Sequence, residues 1–326
     1  MAVTVDRDDA RAPLRRAGDA LPRASIGTVP ILWYNAADGV GWQGPAILDE
    51  IARIGYEGTQ LGNDFESGPH LRDDLERRGL RLAEVYVPIP ATVDGPTPDA
   101  MDIALACLAR LHDGGGDVLC LAIDGSADRD ARAGRASQPG TPAFTDRGWD
   151  SLASLFHAIA DEAIRLGHAT VFHPHAATYI ETPNEIDRLA RLTDPARLGF
   201  CLDTGHHLVA GGDPVAALRT LGERVRHVHL KDVDEAVLTR LQAGEYGRMG
   251  DAVRGGLFTQ LGAGMLALDG VLGTLAARDY DGWLMVEQDM SLGPPSEAAA
   301  ISRGVLATAL RRLGGGADRR GMQSVA

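Results

Sequence analysis

The chain has 326 residues, of which 44% are hydrophobic and 24% are charged, and its formal net charge at pH 7 is -13. This composition is typical of a folded globular protein with a large core, so a wholly disordered chain is excluded. The acidic charge disfavours phosphate-rich partners such as nucleic acid or an anionic membrane surface, and small neutral ligands fit it better.

Short apolar runs rich in β-branched residues alternate with amphipathic helical segments, and this alternation is typical of βα units with a parallel sheet. Strands are predicted, in chain order, at residues 26–33, 55–62, 80–88, 117–123, 169–173, 198–203, 225–231 and 283–288. The clearest helices are predicted at residues 44–54, 98–111, 150–166 and 269–278, where apolar residues recur at intervals of three and four residues. Pro45, Pro183 and Pro214 stand where first helical turns should begin.

These eight alternating units favour a (β/α)8 barrel, the TIM barrel architecture. A doubly wound open sheet is the alternative, although no GxGxxG motif follows the first predicted strand. We assign residues 1–24 to a polar flexible extension, residues 25–312 to a single barrel domain and residues 313–326 to a flexible tail. Residues 234–256, rich in charge and glycine, form a lid, a subunit contact or a surface insertion.

The cysteines and the distribution of apolar residues along the chain indicate the cellular compartment. Cys107, Cys120 and Cys201 lie far apart in apolar segments with no CxxC spacing. Buried free thiols are therefore predicted instead of disulfides or a thiolate zinc site, which indicates a reducing compartment. Because no signal-peptide segment is found, and no stretch approaches the about 18 apolar residues of a membrane span, we expect a cytoplasmic protein with no membrane partner.

In a TIM barrel the functional residues lie at the C-terminal ends of the strands. On the last four predicted strands, the polar residues at these ends are His173, His175, Asp203, His206, His229, Lys231 and Glu287. Imidazole and carboxylate groups suit a divalent ion such as Mn²⁺, Co²⁺, Fe²⁺ or Zn²⁺, and a site without thiolates is catalytic and not structural. The alternative for each histidine is a structural role, in which it caps the barrel and hydrogen-bonds to its neighbours.

Asp203 and Glu287 stand in strands that are otherwise apolar. A buried carboxylate must be satisfied by a cation, by hydrogen bonds or by protonation, so both are predicted metal ligands, with a structural ion pair as the alternative. His229 is predicted as a further ligand. Lys231, two residues later on the same face, either polarises a substrate oxygen or pairs with Asp232 or another acid.

Several segments of the chain carry a family resemblance, namely residues 132–140, 170–195, 199–207, 224–233 and 280–289. They resemble the xylose-isomerase-like barrels, a superfamily of sugar isomerases, epimerases and dehydratases, and within it the inosose dehydratases, which dehydrate 2-keto-myo-inositol. The resemblance covers roughly residues 25–312. It implies a divalent metal ion held by Glu, Asp, His and Glu from four strands.

Asp203, His229 and Glu287 match the last three of these ligands in order. At the first ligand this chain has His173, where the isomerases and epimerases have a glutamate. Since that glutamate is one of two opposed acid/base groups in the epimerases, its replacement favours elimination over epimerisation. A second departure is Gln60 in the sequence GTQLG, where we expect an acid.

The resemblance thus implies a lyase that dehydrates a keto-cyclitol or keto-sugar such as 2-keto-myo-inositol, with Mn²⁺ or Co²⁺ expected and Mg²⁺, Fe²⁺ or Zn²⁺ as other candidates. His175 and His206 are predicted acid/base residues, because an imidazole pKa of about 6.5 suits proton transfer near neutral pH, and Lys231 is an auxiliary group. The predicted substrate-binding residues on the first three strands are Trp33, Asn35, Gln60 and Glu84.

Other functions are compatible with the same residues. They include a sugar isomerase or ketose epimerase, elimination from a 3-keto sugar or glycoside, a non-catalytic sugar binder and a metal-dependent endonuclease. The acidic chain disfavours the endonuclease, which would need a basic groove. Because such barrels are often oligomers, a homodimer or homotetramer is expected.

Overall fold

The computed structural model describes residues 19–323. Within this range, eight strands, each parallel to its two neighbours, close into a barrel. In chain order they are β1 (Ser25–Thr28), β2 (Gly58–Gln60), β3 (Arg81–Ile89), β4 (Val118–Ile123), β5 (Ala169–Phe172), β6 (Leu198–Asp203), β7 (Val225–Leu230) and β8 (Trp283–Val286). Because β1 pairs with both β2 and β8, the ring is closed, and the predicted TIM barrel is confirmed.

Helices connect the strands and pack around them. They are α1 (Ile31–Tyr34), α2 (Gly44–Ile54), α3 (Pro69–Glu76), α4 (Ala100–Asp113), α5 (Ala127–Asp130), α6 (Asp146–Arg165), α7 (Pro183–Leu192), α8 (Thr204–Val209), α9 (Pro214–Leu221), α10 (Glu235–Gln242), α11 (Met249–Arg254), α12 (Leu268–Ala276) and α13 (Pro295–Gln323). Two short antiparallel ribbons pair Ala91–Thr92 with Gly95–Pro96 and Asp232–Val233 with Phe258–Thr259.

The starts of the helices follow the predicted sequence signals. Pro45, Pro183 and Pro214 lie in the first turns of α2, α7 and α9, where a missing N–H removes no helical hydrogen bond. At α7 the side chain of Thr182 accepts from the backbone of Glu185, and the Glu185 carboxylate accepts from the backbone of Thr182. This reciprocal capping box sets the start of α7.

Strand β1 is shorter than predicted. It ends at Thr28, and the following Ile31–Tyr34 segment forms the single-turn helix α1. Pro30 lies between them with a φ of -75°, and its lack of an N–H prevents the ladder from continuing. The prediction of a strand through residue 33 is therefore wrong.

Packing extends beyond both predicted barrel boundaries. Leu21 and Ala24 are buried in the main core, and the backbone N–H of Ala20 donates to the carbonyl oxygen of Leu310. At the other end, α13 continues to Gln323, into the predicted tail. Residues 1–18 and 324–326 of the predicted flexible ends lie outside the described residues.

Inside the barrel, Trp283 and Met285 of β8 pack in a small apolar cluster. Gly58 of β2 makes room for this packing, because a Cβ at that position would lie 2.5 Å from Cη2 of Trp283. A second interior cluster contains Cys120 and Cys201, which are buried free thiols as predicted, whereas Cys107 is a half-buried free thiol.

Residues 234–256 cover the C-terminal end of the barrel. Their helices α10 and α11 form a small core with Ala176 and Ala177 after β5 and with Val209 of α8. Just beyond them, the ring of Phe258 lies 4.5 Å from Nζ of Lys231. The segment is therefore packed over the strand ends. Across residues 19–323, every helix is too short or too polar to cross a membrane.

Candidate active site

The predicted metal ligands converge at the C-terminal end of the barrel. They are His173 after β5, Asp203 at the end of β6, His229 in β7 and Glu287 after β8. One nitrogen or oxygen atom of each lies within 4.8 Å of the others. Nε2 of His173 is 3.4 Å from Oδ2 of Asp203, and Nδ1 of His229 is 2.6 Å from Oε2 of Glu287. These side chains, here called the ligand cluster, could hold a single ion.

Asp203 divides its two carboxylate oxygens between a helix and the ligand cluster. Oδ1 accepts a 2.8 Å hydrogen bond from the backbone N–H of His206 as the N-cap of α8. Oδ2 is buried and has no hydrogen-bond partner within residues 19–323. The nearest polar atoms to Oδ2 are Nε2 of His173 at 3.4 Å and Nζ of Lys231 at 3.5 Å, so this oxygen remains open to a ligand. An open carboxylate oxygen beside imidazole nitrogens fits a divalent cation.

Lys231 is buried beside three carboxylates. Its Nζ is 2.8 Å from Oδ1 of Asp289, 2.9 Å from Oε1 of Glu287 and 3.5 Å from Oδ2 of Asp203. Burial alone would lower its pKa, but the charges of Asp203, Asp289 and Glu287 raise that pKa well above its usual value. Lys231 is therefore a fixed ammonium group and not a base. In this group of described residues the carboxylates outnumber the ammonium, which leaves negative charge for a cation to balance.

Asp232, considered in the sequence as a partner of Lys231, has a different role. Its carboxylate accepts hydrogen bonds from the backbone N–H groups of Gly262, Gly264 and Leu266. It therefore fixes the chain that leads into α12. The acids that pair with Lys231 are Glu287 and Asp289 instead.

The rings of His175 and His206 lie against each other, with centroids 3.6 Å apart. Nδ1 of His175 is 2.7 Å from the carbonyl oxygen of Ala176, which only accepts, so this nitrogen carries the proton and Nε2 can take another. Nε2 of His206 lies 3.0 Å from the ammonium of Lys231. Burial lowers the pKa of His175 to about 4 and that of His206 well below its usual value, and nearby positive charge adds to both shifts. Both rings are therefore neutral at pH 7.

A cleft of about 430 Å³ opens beside His175. Its walls come from β3, from the end of β4 and the chain through α5, from the chain after β5 and from α11. The polar or ionisable side chains on these walls, apart from His175, are Tyr86, Asp124, Ser126, Asp130 and Thr178. A concave space with several hydroxyl and carboxylate groups suits a small ligand that has hydroxyl groups of its own.

Two predicted substrate-binding residues need correction. Trp33 is 1% exposed in the main core, and its Nε1 donates to Oγ of Ser296, so its ring packs against α13 and is not open to a ligand. Glu84 lies in the middle of β3 with no exposed surface. Its carboxylate oxygens are 2.9 Å from Nε2 of His229 and 3.1 Å from Nε2 of His227, so it contacts a predicted ligand and not the cleft.

The other two predicted substrate-binding residues lie near the strand ends. Gln60 ends β2 and is half-buried. Asn35 is exposed, and its side-chain amide donates to the carbonyl oxygen of Asp289, which links the chain after β1 to the chain after β8. A contact of either residue with a substrate stays a prediction.

Two residues near the ligand cluster, Asp289 and Tyr86, were not among the predicted site residues. Asp289 stands two residues after Glu287, a spacing that places side chains on one side of an extended chain and could have identified it. Tyr86 has the same spacing from Glu84 in β3, and its ring lies edge-on to that of His173, with centroids 6.1 Å apart. In both cases the two-residue spacing from a predicted site residue could have identified the neighbour on the same face.

Known proteins resemble this chain over most of its length. The model of a family described as xylose isomerase-like TIM barrel matches residues 48–309. The chain is 34% identical to an inosose dehydratase of Geobacillus kaustophilus (strain HTA426) over 287 residues, which is 85% of this chain and 92% of that protein. It is 31% identical to an inosose dehydratase of Bacillus cereus (strain AH820) over 290 residues, 85% of this chain and 94% of the relative.

Solved structures share the fold at lower identity. An L-ribulose 3-epimerase superimposes with a TM-score of 0.66 at 16% identity, covering 93% of this chain and 98% of that one. A probable 3-DHS dehydratase involved in petrobactin synthesis from Bacillus anthracis has a TM-score of 0.63 at 14% identity, covering 86% and 98%. The sequence matches confirm the predicted resemblance and the prediction of an enzyme. The chain belongs to the xylose isomerase-like TIM barrel family.

Proposed function

We propose that the protein is a metal-dependent hydro-lyase that removes water from a keto-cyclitol or keto-sugar such as 2-keto-myo-inositol. The observation that carries this proposal is the position of neutral His175 between the ligand cluster and the cleft. Its ring centroid is 5.6 Å from that of His173, and the same residue lines the cleft. The relatives named inosose dehydratase support the reaction and the substrate class.

The ligand cluster would hold the divalent ion. Its imidazole and carboxylate groups suit Mn²⁺ or Co²⁺, which are the metals we propose. When bound there, the ion supplies positive charge to the ketone oxygen of the substrate and stabilises the negative charge that develops on it.

His175 is the proposed acid/base residue. Its unprotonated Nε2 takes the proton from the carbon next to the ketone. The electron pair of that C–H bond forms a carbon–carbon double bond as the C–O bond of the neighbouring carbon breaks. The departing hydroxyl group takes the proton back from His175 and leaves as water, so the ring returns to its neutral form.

His206 and Lys231 support this step from the side away from the cleft. The ammonium of Lys231 donates toward Nε2 of His206, which keeps that ring neutral and in place against His175. The positive charge of Lys231 also stabilises the negative charge that develops on the substrate. Asp124, Ser126 and Asp130 of the cleft are the proposed partners of the substrate hydroxyl groups.

Product analysis tests the proposal. The protein is loaded with Mn²⁺ or Co²⁺ and incubated with 2-keto-myo-inositol, and the products are followed by mass spectrometry and ultraviolet absorbance. We expect a product lighter by one water, with the new absorbance of an enone or diketone. A ketose of unchanged mass would instead indicate an isomerase or epimerase, and ligand binding without conversion would indicate a sugar binder.

A further inference from the structure

A buried acid lies on the inner side of the ligand cluster. Glu84 of β3 reaches across the barrel interior to His227 and His229 of β7, a strand that is not its neighbour. Its Oε1 is 2.9 Å from Nε2 of His229, and its Oε2 is 3.1 Å from Nε2 of His227. All three residues are at most 2% exposed. The carboxylate thus meets both histidines in a space closed to solvent.

The two ring nitrogens of His229 face different partners. Nδ1 is 2.6 Å from Oε2 of Glu287 and 3.8 Å from Oδ2 of Asp203, so it points into the ligand cluster. Nε2 points the other way, toward Glu84. A neutral imidazole carries one proton, and only its unprotonated nitrogen can bind a metal ion. For Nδ1 to act as a ligand, the proton must therefore reside on Nε2.

That proton needs an acceptor. Nε2 of His229 and both oxygens of Glu84 are buried, and within residues 19–323 none of the three has a directed hydrogen-bond partner. The 2.9 Å separation of Nε2 from Oε1 of Glu84 makes that carboxylate the acceptor within reach. An ionised carboxylate accepts and does not donate, so a proton on Nε2 satisfies Glu84 whereas a lone pair there would face it unfavourably. Of the two neutral tautomers of His229, the one that leaves Nδ1 open is therefore the one that matches Glu84.

We propose that Glu84 is a positioning residue that holds the proton of His229 on Nε2, and thereby presents Nδ1 to the divalent ion. The second oxygen of Glu84, 3.1 Å from Nε2 of His227, would accept a hydrogen bond from that nitrogen, which would prevent the carboxylate from turning away. This inference rests on the proposed metal site. It also explains why a carboxylate is buried here, since a well-packed apolar side chain would cost less to bury.

Zn²⁺ binding and the ring nitrogens of His229 test this role. The protein is labelled with ¹⁵N in histidine, and the signals of His229 are assigned by their loss in His229→Gln. With Zn²⁺ bound to the wild-type protein, we expect a protonated Nε2 and a metal-bound Nδ1 in this ring. A protonated Nδ1 in the Zn²⁺-loaded wild-type protein would overturn the proposal, and this measurement needs no substitution of Glu84.

Glu84→Gln keeps the size of the side chain but replaces one acceptor oxygen with a donor and removes the charge. We expect its affinity for Zn²⁺, measured by competition with a chelator, to fall about 10- to 100-fold, the usual effect of losing the partner of a metal-binding histidine. The matched control is Asp74→Asn on α3, which removes a buried charge that pairs with Arg77 and Arg78 just after that helix. This control should destabilise the fold and leave Zn²⁺ affinity unchanged.

The results of these experiments distinguish failure of the positioning role of Glu84 from failure of the proposed metal site. If wild-type protein binds Zn²⁺ and Asp203→Asn does not, while Glu84→Gln binds as tightly as wild type, the metal site stands and the role of Glu84 is wrong. If wild-type protein binds no Zn²⁺, or if Asp203→Asn binds it equally well, the proposed metal site and the positioning role both fail.

Discussion

Oδ1 of Asp203 accepts a 2.8 Å hydrogen bond from the backbone N–H of His206, and this bond leaves Oδ2 directed at His173. One side chain therefore starts α8 and supplies a proposed metal ligand. The two roles can be separated, because asparagine caps a helix about as well as aspartate does whereas alanine does not.

Asp203→Asn is expected to keep the cap and lose stoichiometric binding of Mn²⁺ or Co²⁺. Asp203→Ala should lose both, with a free energy of unfolding about 0.5–2 kcal/mol below that of the asparagine variant. Metal analysis and denaturant unfolding measure the two effects. Full metal content in the asparagine variant would remove Asp203 from the proposed ligands.

His175→Gln is expected to lower kcat about 10²- to 10⁴-fold, the usual contribution of a general acid/base group. Its metal content should stay that of wild type, because His175 is outside the proposed ligand set. The control is His70→Gln on the exposed surface of α3, which should change neither quantity. A kcat near the wild-type value in His175→Gln would assign the proton transfer to another residue.

Gly205 is required by its closeness to Lys231. A Cβ at this position would lie 2.6 Å from Cγ of Lys231, so Gly205→Ala must displace the lysine or α8. We expect a loss of about 1–3 kcal/mol in the free energy of unfolding, together with lower activity. Gly273→Ala in α12 is the matched control, because its Cβ would meet nothing within 4 Å. It should be stabilised by up to about 1 kcal/mol, and equal stability of the two variants would contradict this account.

Glu181 provides a test by pH. Its side chain is buried, and its two carboxylate oxygens accept hydrogen bonds from the backbone N–H groups of Gly134 and Ala177. Its Oε2 is also 3.8 Å from Nη2 of Arg129, which forms an ion pair with Glu185. Burial raises the pKa of Glu181 from 4.5 to about 7. The folded protein therefore holds this proton more tightly than the unfolded chain does. The resulting stability is full below pH 4.5 and is lost as the pH rises through 7, by a total on the order of 3 kcal/mol.

Denaturant unfolding of wild-type protein and Glu181→Gln between pH 4 and about 8 measures this contribution. Because the variant lacks the titrating group, the stability of wild type relative to the variant should fall across that range. A difference that does not change with pH would show that Glu181 is ionised in the folded protein throughout.

Much of the architecture could be predicted because it depends on local patterns. The alternation of apolar runs and amphipathic segments indicated the barrel, and the rule that barrel sites lie at strand ends brought His173, Asp203, His229 and Glu287 together. The starts of α2, α7 and α9 followed from their prolines. A few neighbouring residues thus cause each helix start, whereas the four ligands meet because their strands share one barrel.

The sequence did not indicate how deep a side chain lies in the barrel or which distant segments pack together. Glu84 and Tyr86 share one face of β3, but only the stagger of the closed barrel decides which of them reaches the cleft. Trp33 was misplaced because Pro30 ends β1 early and turns the following residues toward α13. The packing of residues 234–256 over the strand ends depends on contacts with Ala176 and Val209, which no local pattern specifies.

Under the proposed function, dehydration requires an ion in the ligand cluster. The direct measurement is the rate of water loss from 2-keto-myo-inositol by chelator-treated protein, before and after addition of Mn²⁺ or Co²⁺, for wild type and for Glu287→Gln. We predict no reaction in metal-depleted wild type, recovery when one equivalent of metal is bound, and no recovery in Glu287→Gln. An undiminished rate in metal-depleted wild-type protein, or full recovery in Glu287→Gln, would contradict the account.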